Sequence, residues 1–133
     1  MKIAVLLKQV PDLAEELEVD DSGKSLDTEY IKFRLNEYDE HALEEAVCLK
    51  EAGQASEVIA IALDGEEVDK VLFSAMAKGA DKAIKITGAE AEGSRSVAAL
   101  FAEAVGTEYD LIMTGVQSVD DREGMMGPML SSM

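Results

Sequence analysis

Four short apolar runs alternate with stretches of helical spacing, and that alternation leaves this 133-residue chain few folds to choose from. Ile3, Ala4, Val5, Leu6 and Leu7 form the first run, continuous rather than alternating, as expected of a strand covered on both faces. Val58, Ile59, Ala60, Ile61, Ala62 and Leu63 form the second. Ala83, Ile84, Lys85, Ile86 and Thr87 form the third, whose amphipathic pattern suits a sheet edge, and Leu111, Ile112, Met113 and Thr114 form the fourth. Alternating β and α units imply right-handed crossovers and a mainly parallel sheet with helices on both faces.

The helical stretches carry their own punctuation. Asn36 is a good N-cap, with Glu37, Asp39 and Glu40 in the first turn, where the helix dipole favours negative charge. Ala42, Leu43, Ala46, Val47 and Lys50 then share a face, and Gly53 closes the helix. Val68, Val71, Leu72, Ala75 and Met76 make a second stripe, ending at Lys78 and Gly79. Ser94 or Ser96 opens a third helix, with Val97, Leu100, Phe101, Ala104 and Val105 on one side and a stop near Gly106. A fourth is expected to begin between Gly124 and Pro128. Residues 13–35 fit none of this. Leu17 and Val19 alternate with acids, Asp20-Asp21-Ser22-Gly23 is a turn signal, and Leu26 follows, which reads as a small hairpin inserted after the first strand.

Composition narrows the partners. Hydrophobic residues make up 47 % of the chain, enough for a globular core in one domain spanning residues 1–133. No apolar run approaches the roughly 20 residues of a membrane span. The N-terminal apolar run is too brief for a signal peptide, and Lys8-Gln9-Val10-Pro11-Asp12 offers no small-residue cleavage site, so a cytoplasmic protein is expected. Asp and Glu number 28 against 12 Lys and Arg, a formal net charge of −16. A field of that sign repels nucleic acid and anionic membranes. The single cysteine, Cys48, excludes an internal disulfide, and its helical setting suggests a buried, inert thiol. His41 has no partner arranged for nucleophilic catalysis. Asp120, Asp121 and Glu123 read as solvated turn acids rather than metal ligands.

The fourth run leads into the most informative loop. Gly115-Val116-Gln117-Ser118-Val119-Asp120-Asp121 is followed by Gly124 and by Gly127-Pro128. A parallel strand that ends in a glycine-rich turn before a helix is where α/β proteins bind phosphates, because the backbone can approach the ligand and free N–H groups point at the anion.

Four phrases in this order resemble the β subunit of electron transfer flavoproteins, across essentially the whole chain. They are Lys8-Gln9-Val10-Pro11-Asp12, the segment from Leu35-Asn36-Glu37-Tyr38-Asp39-Glu40-His41 to Ala46, then Ala77-Lys78-Gly79-Ala80-Asp81-Lys82-Ala83, and the loop just described. The resemblance implies an α/β Rossmann-like three-layer sandwich of the adenine nucleotide alpha hydrolase type, truncated, since family members are much longer. It implies an electron carrier rather than an enzyme. Such a subunit works in a heterodimer with an alpha subunit that holds most of a redox FAD, and passes electrons from acyl-CoA or other dehydrogenases to an acceptor. AMP, or a second FAD in electron-bifurcating members, would occupy the β-side site. Alone, a chain of this extent is expected to self-associate through uncovered edges.

The same resemblance places the site. Leu6, Leu7 and Lys8 match the stretch whose backbone lies against the adenine. Asn36, Glu37, Tyr38 and Asp39 match the segment that closes over it, and Asn36 has simple N-capping as its other reading. Leu63 matches a nucleoside contact, or is an ordinary core leucine. Gly115, Gln117, Ser118, Val119, Asp120, Arg122, Gly124, Met125 and Met126 match the phosphate turn, with Gly115 allowing a sharp turn and the N–H groups after Gly124 facing the anion. Two positions depart from the family pattern: Arg122 stands where an acid is usual, and Met125 where a Gln is usual. A free-standing adenine-nucleotide-binding regulatory module of the universal-stress type is the alternative, although the Gly115–Gly124 spacing does not fit that family's phosphate loop. A scaffold without ligand is a third reading.

Overall fold

Five consecutive apolar residues need cover on both faces of their strand, and the chain folds so that Ile3, Ala4, Val5, Leu6 and Leu7 are all at most 1 % exposed. The structure is a computed structural model describing residues 1–88 and 90–133. Strands β1 (Lys2–Leu7), β4 (Glu57–Leu63), β5 (Lys82–Ile86) and β6 (Leu111–Thr114) form one parallel sheet in the order β5-β4-β1-β6. The two most apolar runs lie in the middle, and the amphipathic third run takes an edge, as its pattern predicted.

Helices α1 (Glu37–Glu51) and α2 (Val68–Lys78) cover one face, packing Leu43, Ala46, Val71 and Ala75 on Ile3, Val5, Val58 and Ala60. Helices α3 (Gly93–Val105) and α4 (Met126–Ser131) cover the other, where Phe101 and Val105 meet Ala4, Leu6, Ile59 and Ile61. This is the expected α/β three-layer fold. From β1 through α1, β4 and α2 to β5 the chain moves outward on one side. It then crosses back over the other face through α3 to place β6 beside β1. The order therefore reverses between β1 and β6, and the C-terminal ends of those strands form the crevice where open α/β sheets bind ligands.

Several local expectations need correction. The paired strands of the excursion are its base, β2 (Gln9–Pro11) against β3 (Phe33–Leu35), while Val19 and Leu26 make only an isolated bridge around the turn at Gly23. The Gln9 side-chain oxygen accepts from Glu67 N at 2.8 Å, and the Glu67 carboxylate accepts from Phe33 N at 3.1 Å, docking the excursion on the start of α2. Cys48 is exposed, because it lies about 100° round the helix from the buried Val47. Desolvation and the nearby Glu44, Glu45 and Glu51 push its pKa up, which disfavours the reactive thiolate. Met76 and Ala104 also face solvent rather than the core. Neither Ser94 nor Ser96 caps α3; Ser96 Oγ donates back to the carbonyls of Glu92 and Gly93. Among the described residues, no helix is long and apolar enough to cross a membrane.

Leu43 is fully buried where α1 meets the sheet. Leu43→Ala should cost about 2–5 kcal/mol in urea unfolding followed by circular dichroism. A loss below about 1 kcal/mol would show that the layer can collapse around the gap.

Candidate functional site

Three polar side chains are buried among the described residues: Asn36, Asp39 and Ser118. All three line one cavity of about 260 Å³ at the C-terminal ends of β1, β4 and β6. Buried polar groups are costly unless partnered, so their concentration at one place makes this the candidate site.

Asp39 organises it. One carboxylate oxygen accepts from Lys8 N and the other from Gly115 N, each at 2.9 Å. The first backbone N–H after β1 and the first after β6 are thus held by one side chain from α1. Burial pushes the Asp39 pKa up from 3.8 to about 6, against the opposing pull of hydrogen bonds from Asn36, Gly115 and Lys8 and of the Lys8 charge. Gly115 is required for closeness rather than for a sharp turn. Its φ is not positive, but a Cβ there would fall on Asp39 Oδ1 and lie 2.7 Å from Asp39 N.

Asn36 sits at the N-cap of α1 yet makes no side-chain cap bond; its amide donates to the Gln117 carbonyl at 2.8 Å. Lys8 Nζ reaches Asp120 at 2.8 Å and Ser118 Oγ at 3.3 Å, and Ser118 Oγ donates to Asp120 at 2.6 Å. Burial alone would raise the Asp120 carboxyl, but the Lys8 and Ser118 hydrogen bonds outweigh it and hold its pKa below the ordinary value. The N–H groups expected to face an anion are already engaged. Asp121 accepts from Met125 N at 3.5 Å and from Met126 N at 3.3 Å. Gly124 does take the left-handed conformation, at φ 63°, packed on the Val116 carbonyl.

Of the residues expected at the site, Leu6, Leu7, Lys8, Asn36, Asp39, Leu63, Gly115, Gln117, Ser118, Asp120, Gly124 and Met126 line this cavity. Glu37, Tyr38, Val119 and Arg122 do not. They line an adjoining groove of about 840 Å³ beside the excursion, which shares the wall made by Asn36, Gln117, Ser118 and Asp120. Met125 lines neither. Sequence reasoning missed Asp64, Ser94, Val97, Phe101 and Asp121, which also line the cavity. Asp64 was findable as the residue just past a central strand. The α3 residues follow from the crossover that carries this helix over the face behind β1.

The raised Asp39 pKa has a thermodynamic signature. The folded state binds this proton more tightly than the unfolded chain, so the associated stability is present at low pH and lost as pH rises through about 6. Relative to Asp39→Asn, whose amide does not titrate, the parent should gain about 1 kcal/mol between about pH 7 and 5. Paired urea titrations across that range measure it, and a flat difference would show that Asp39 titrates normally.

Comparison with known proteins identifies the family. A family profile described as "Electron transfer flavoprotein domain" matches residues 24–133. The chain is 34 % identical over 136 residues to "Electron transfer flavoprotein subunit beta" of Methylophilus methylotrophus, covering 99 % of this chain and 52 % of that protein. It is 34 % identical over 134 residues to the Homo sapiens protein of the same name, covering 97 % of this chain and 52 % of that protein. To "Electron transfer flavoprotein subunit beta, mitochondrial" of Arabidopsis thaliana it is 32 % identical over 134 residues, covering 100 % and 53 %. It spans about half the length of these curated relatives. The chain belongs to the electron transfer flavoprotein family.

Proposed function

We propose that this chain is the nucleotide-binding part of a beta-type subunit whose 260 Å³ cavity holds the adenine nucleoside of AMP, or of a second FAD. The observation that carries the reading is the gathering of Asn36, Asp39 and Ser118 in that cavity, at the point where strand order reverses. Leu6, Leu63, Phe101 and Met126 give it apolar surface for a base, and the Gln117 side chain stands at the wall. These residues fit the nucleoside. The chain supplies position and electrostatics and no catalytic group. The redox chemistry belongs to an FAD held mainly by an alpha subunit, which collects electrons from acyl-CoA or other dehydrogenases and delivers them to an acceptor. A cytoplasmic location goes with this reading. The open edges of β5 and β6, with Ile84 40 % and Ile112 37 % exposed, favour self-association when no partner is present.

Mass spectrometry of small molecules released by denaturing the purified chain tests the nucleotide assignment. AMP, without stoichiometric flavin absorbance, is the expected result. A stoichiometric flavin would assign the cavity to a second FAD instead. No released nucleotide, together with no calorimetric binding of adenosine or AMP, would overturn the reading. Co-purification with a co-expressed alpha subunit tests the partner.

A further inference from the structure

Two walls of the cavity are tied together by one side chain. Beyond β1 and β6 the first backbone N–H groups, those of Lys8 and Gly115, each donate to a different oxygen of the Asp39 carboxylate at 2.9 Å. Asp39 is 4 % exposed, so bulk water offers these groups no replacement acceptor. Leu6, Leu7, Lys8 and Gly115 line the cavity, so this pair of bonds sets how far apart the end of β1 and the loop after β6 stand. The fit is close, since a Cβ on Gly115 would lie 2.7 Å from Asp39 N. A carboxylate accepts on both oxygens at once. In the acid form the protonated oxygen becomes a donor and a poorer acceptor. With an N–H facing each oxygen, a proton on either one weakens one side of the tie.

We infer that Asp39 is a positioning residue that shapes the nucleoside cavity only as its carboxylate anion, so that nucleoside binding and loss of the Asp39 proton are coupled. This inference rests on the nucleotide reading above and deepens it by adding a proton to the binding equilibrium: protonated chain plus nucleoside gives the complex and a proton, which passes to solvent. Burial places the Asp39 pKa at about 6, which brings the coupling close to neutral pH. A ligand that takes only the anion lowers that pKa, so affinity is full above about pH 6 and lost as pH falls through it.

Other charged groups face Asp39 from the elements around it. Lys8, after β1, is paired with Asp120, whose carboxyl is held below its ordinary pKa by the Lys8 and Ser118 hydrogen bonds although burial opposes them. Asp64 after β4 and Asp121 in the loop after β6 complete the acids of the wall, and its described residues from α3 and α4 carry no ionisable side chain. On α1 itself, Glu40 is paired with Lys78, Glu37 lines the groove, and His41 is exposed and lines neither space.

Isothermal calorimetry of the whole chain with adenosine between about pH 5 and 7.5 tests the coupling. Adenosine has no group that titrates there, whereas the phosphate of AMP does. Affinity should fall about tenfold from about pH 7 to 5, the ratio of ionised fractions for a group titrating at about 6. Near that midpoint, titrations in buffers of different ionisation enthalpy should show release of about half a proton per adenosine bound. Asp39→Asn cannot ionise, so its affinity for adenosine, whatever its absolute value, should not change with pH. His41 and the other acids remain in that variant, so a pH dependence that survives the substitution belongs to one of them and overturns the inference. If the variant does not fold or does not bind, NMR of the parent decides. The Lys8 and Gly115 amide protons should titrate together near pH 6 and shift their midpoint to lower pH in saturating adenosine, and separate or adenosine-insensitive titrations overturn the inference. Proton uptake on binding, or an affinity in the parent that is flat with pH, also overturns it and leaves the nucleotide reading standing. Failure of adenosine to bind the parent at any pH removes the reading and the inference together.

Discussion

The two N–H groups held by the Asp39 carboxylate set the shape of everything at the functional end of this molecule. β1 and β6 are neighbours in the sheet but far apart in sequence, and past Leu6 and Thr114 their ladder stops. Unpaired N–H groups just beyond paired strands have to find an acceptor if water is excluded. A carboxylate has two oxygens and can satisfy both at once, whereas an amide side chain has one acceptor. Using it means burying a charge in a place where Lys8 is only half-exposed and already paired with Asp120, and the raised pKa records that cost. Asn36, on the same turn, extends the clamp to the Gln117 carbonyl. The first turn of α1 thereby fixes both the end of β1 and the loop after β6.

The opposite end of the sheet is tied by the same kind of bond with the opposite electrostatics. Asp81 accepts from Val58 N at 2.8 Å and from Lys50 Nζ at 2.7 Å, and Asp110 accepts from Lys2 N at 2.7 Å. Lys50 also reaches the Gly79 carbonyl, Lys78 pairs with Glu40 and Lys82 with Glu57. The Asp81 side chain is well exposed and faces a lysine, so its pKa falls. The phrase Ala77-Lys78-Gly79-Ala80-Asp81-Lys82 thus staples the sheet far from the cavity. Gly79 is part of it, since its φ of 126° brings the chain against Val47. The pKa is raised at one end, where burial dominates, and lowered at the other, where the Lys50 hydrogen bond does.

What could be read from the sequence was whatever periodicity and punctuation encode locally. The four strands, the faces of α1 and α2 and the edge position of β5 follow from runs and stripes. The base strands β2 and β3 did not announce themselves. Three residues each, one containing Pro11, are too short for a pattern, and Gln9 and Glu67, which hold them, are 58 positions apart. Asn36 looked like a cap because caps are local; its true partner is 81 residues away. Cys48 was misread because a one-residue rotation separates it from the buried Val47. At the site, the segments named by the resemblance at the strand ends and in much of the loop line one cavity. It could not say that Tyr38 and Arg122 face the neighbouring groove, since that depends on how the excursion packs beside the loop.

The acid excess of this chain looked like a property of its exterior, and the structure gives part of it a role in holding the functional end together. Asp39, Asp120 and Asp121 each take up a donor that would otherwise be free: strand-end N–H groups, the Lys8 ammonium, and the N–H groups at the start of α4. A loop of this kind is usually read from its glycines as a phosphate cradle. Here the acids between Gly115 and Gly124 also hold the loop itself, Asp120 on Lys8 and Asp121 on the N–H groups of Met125 and Met126.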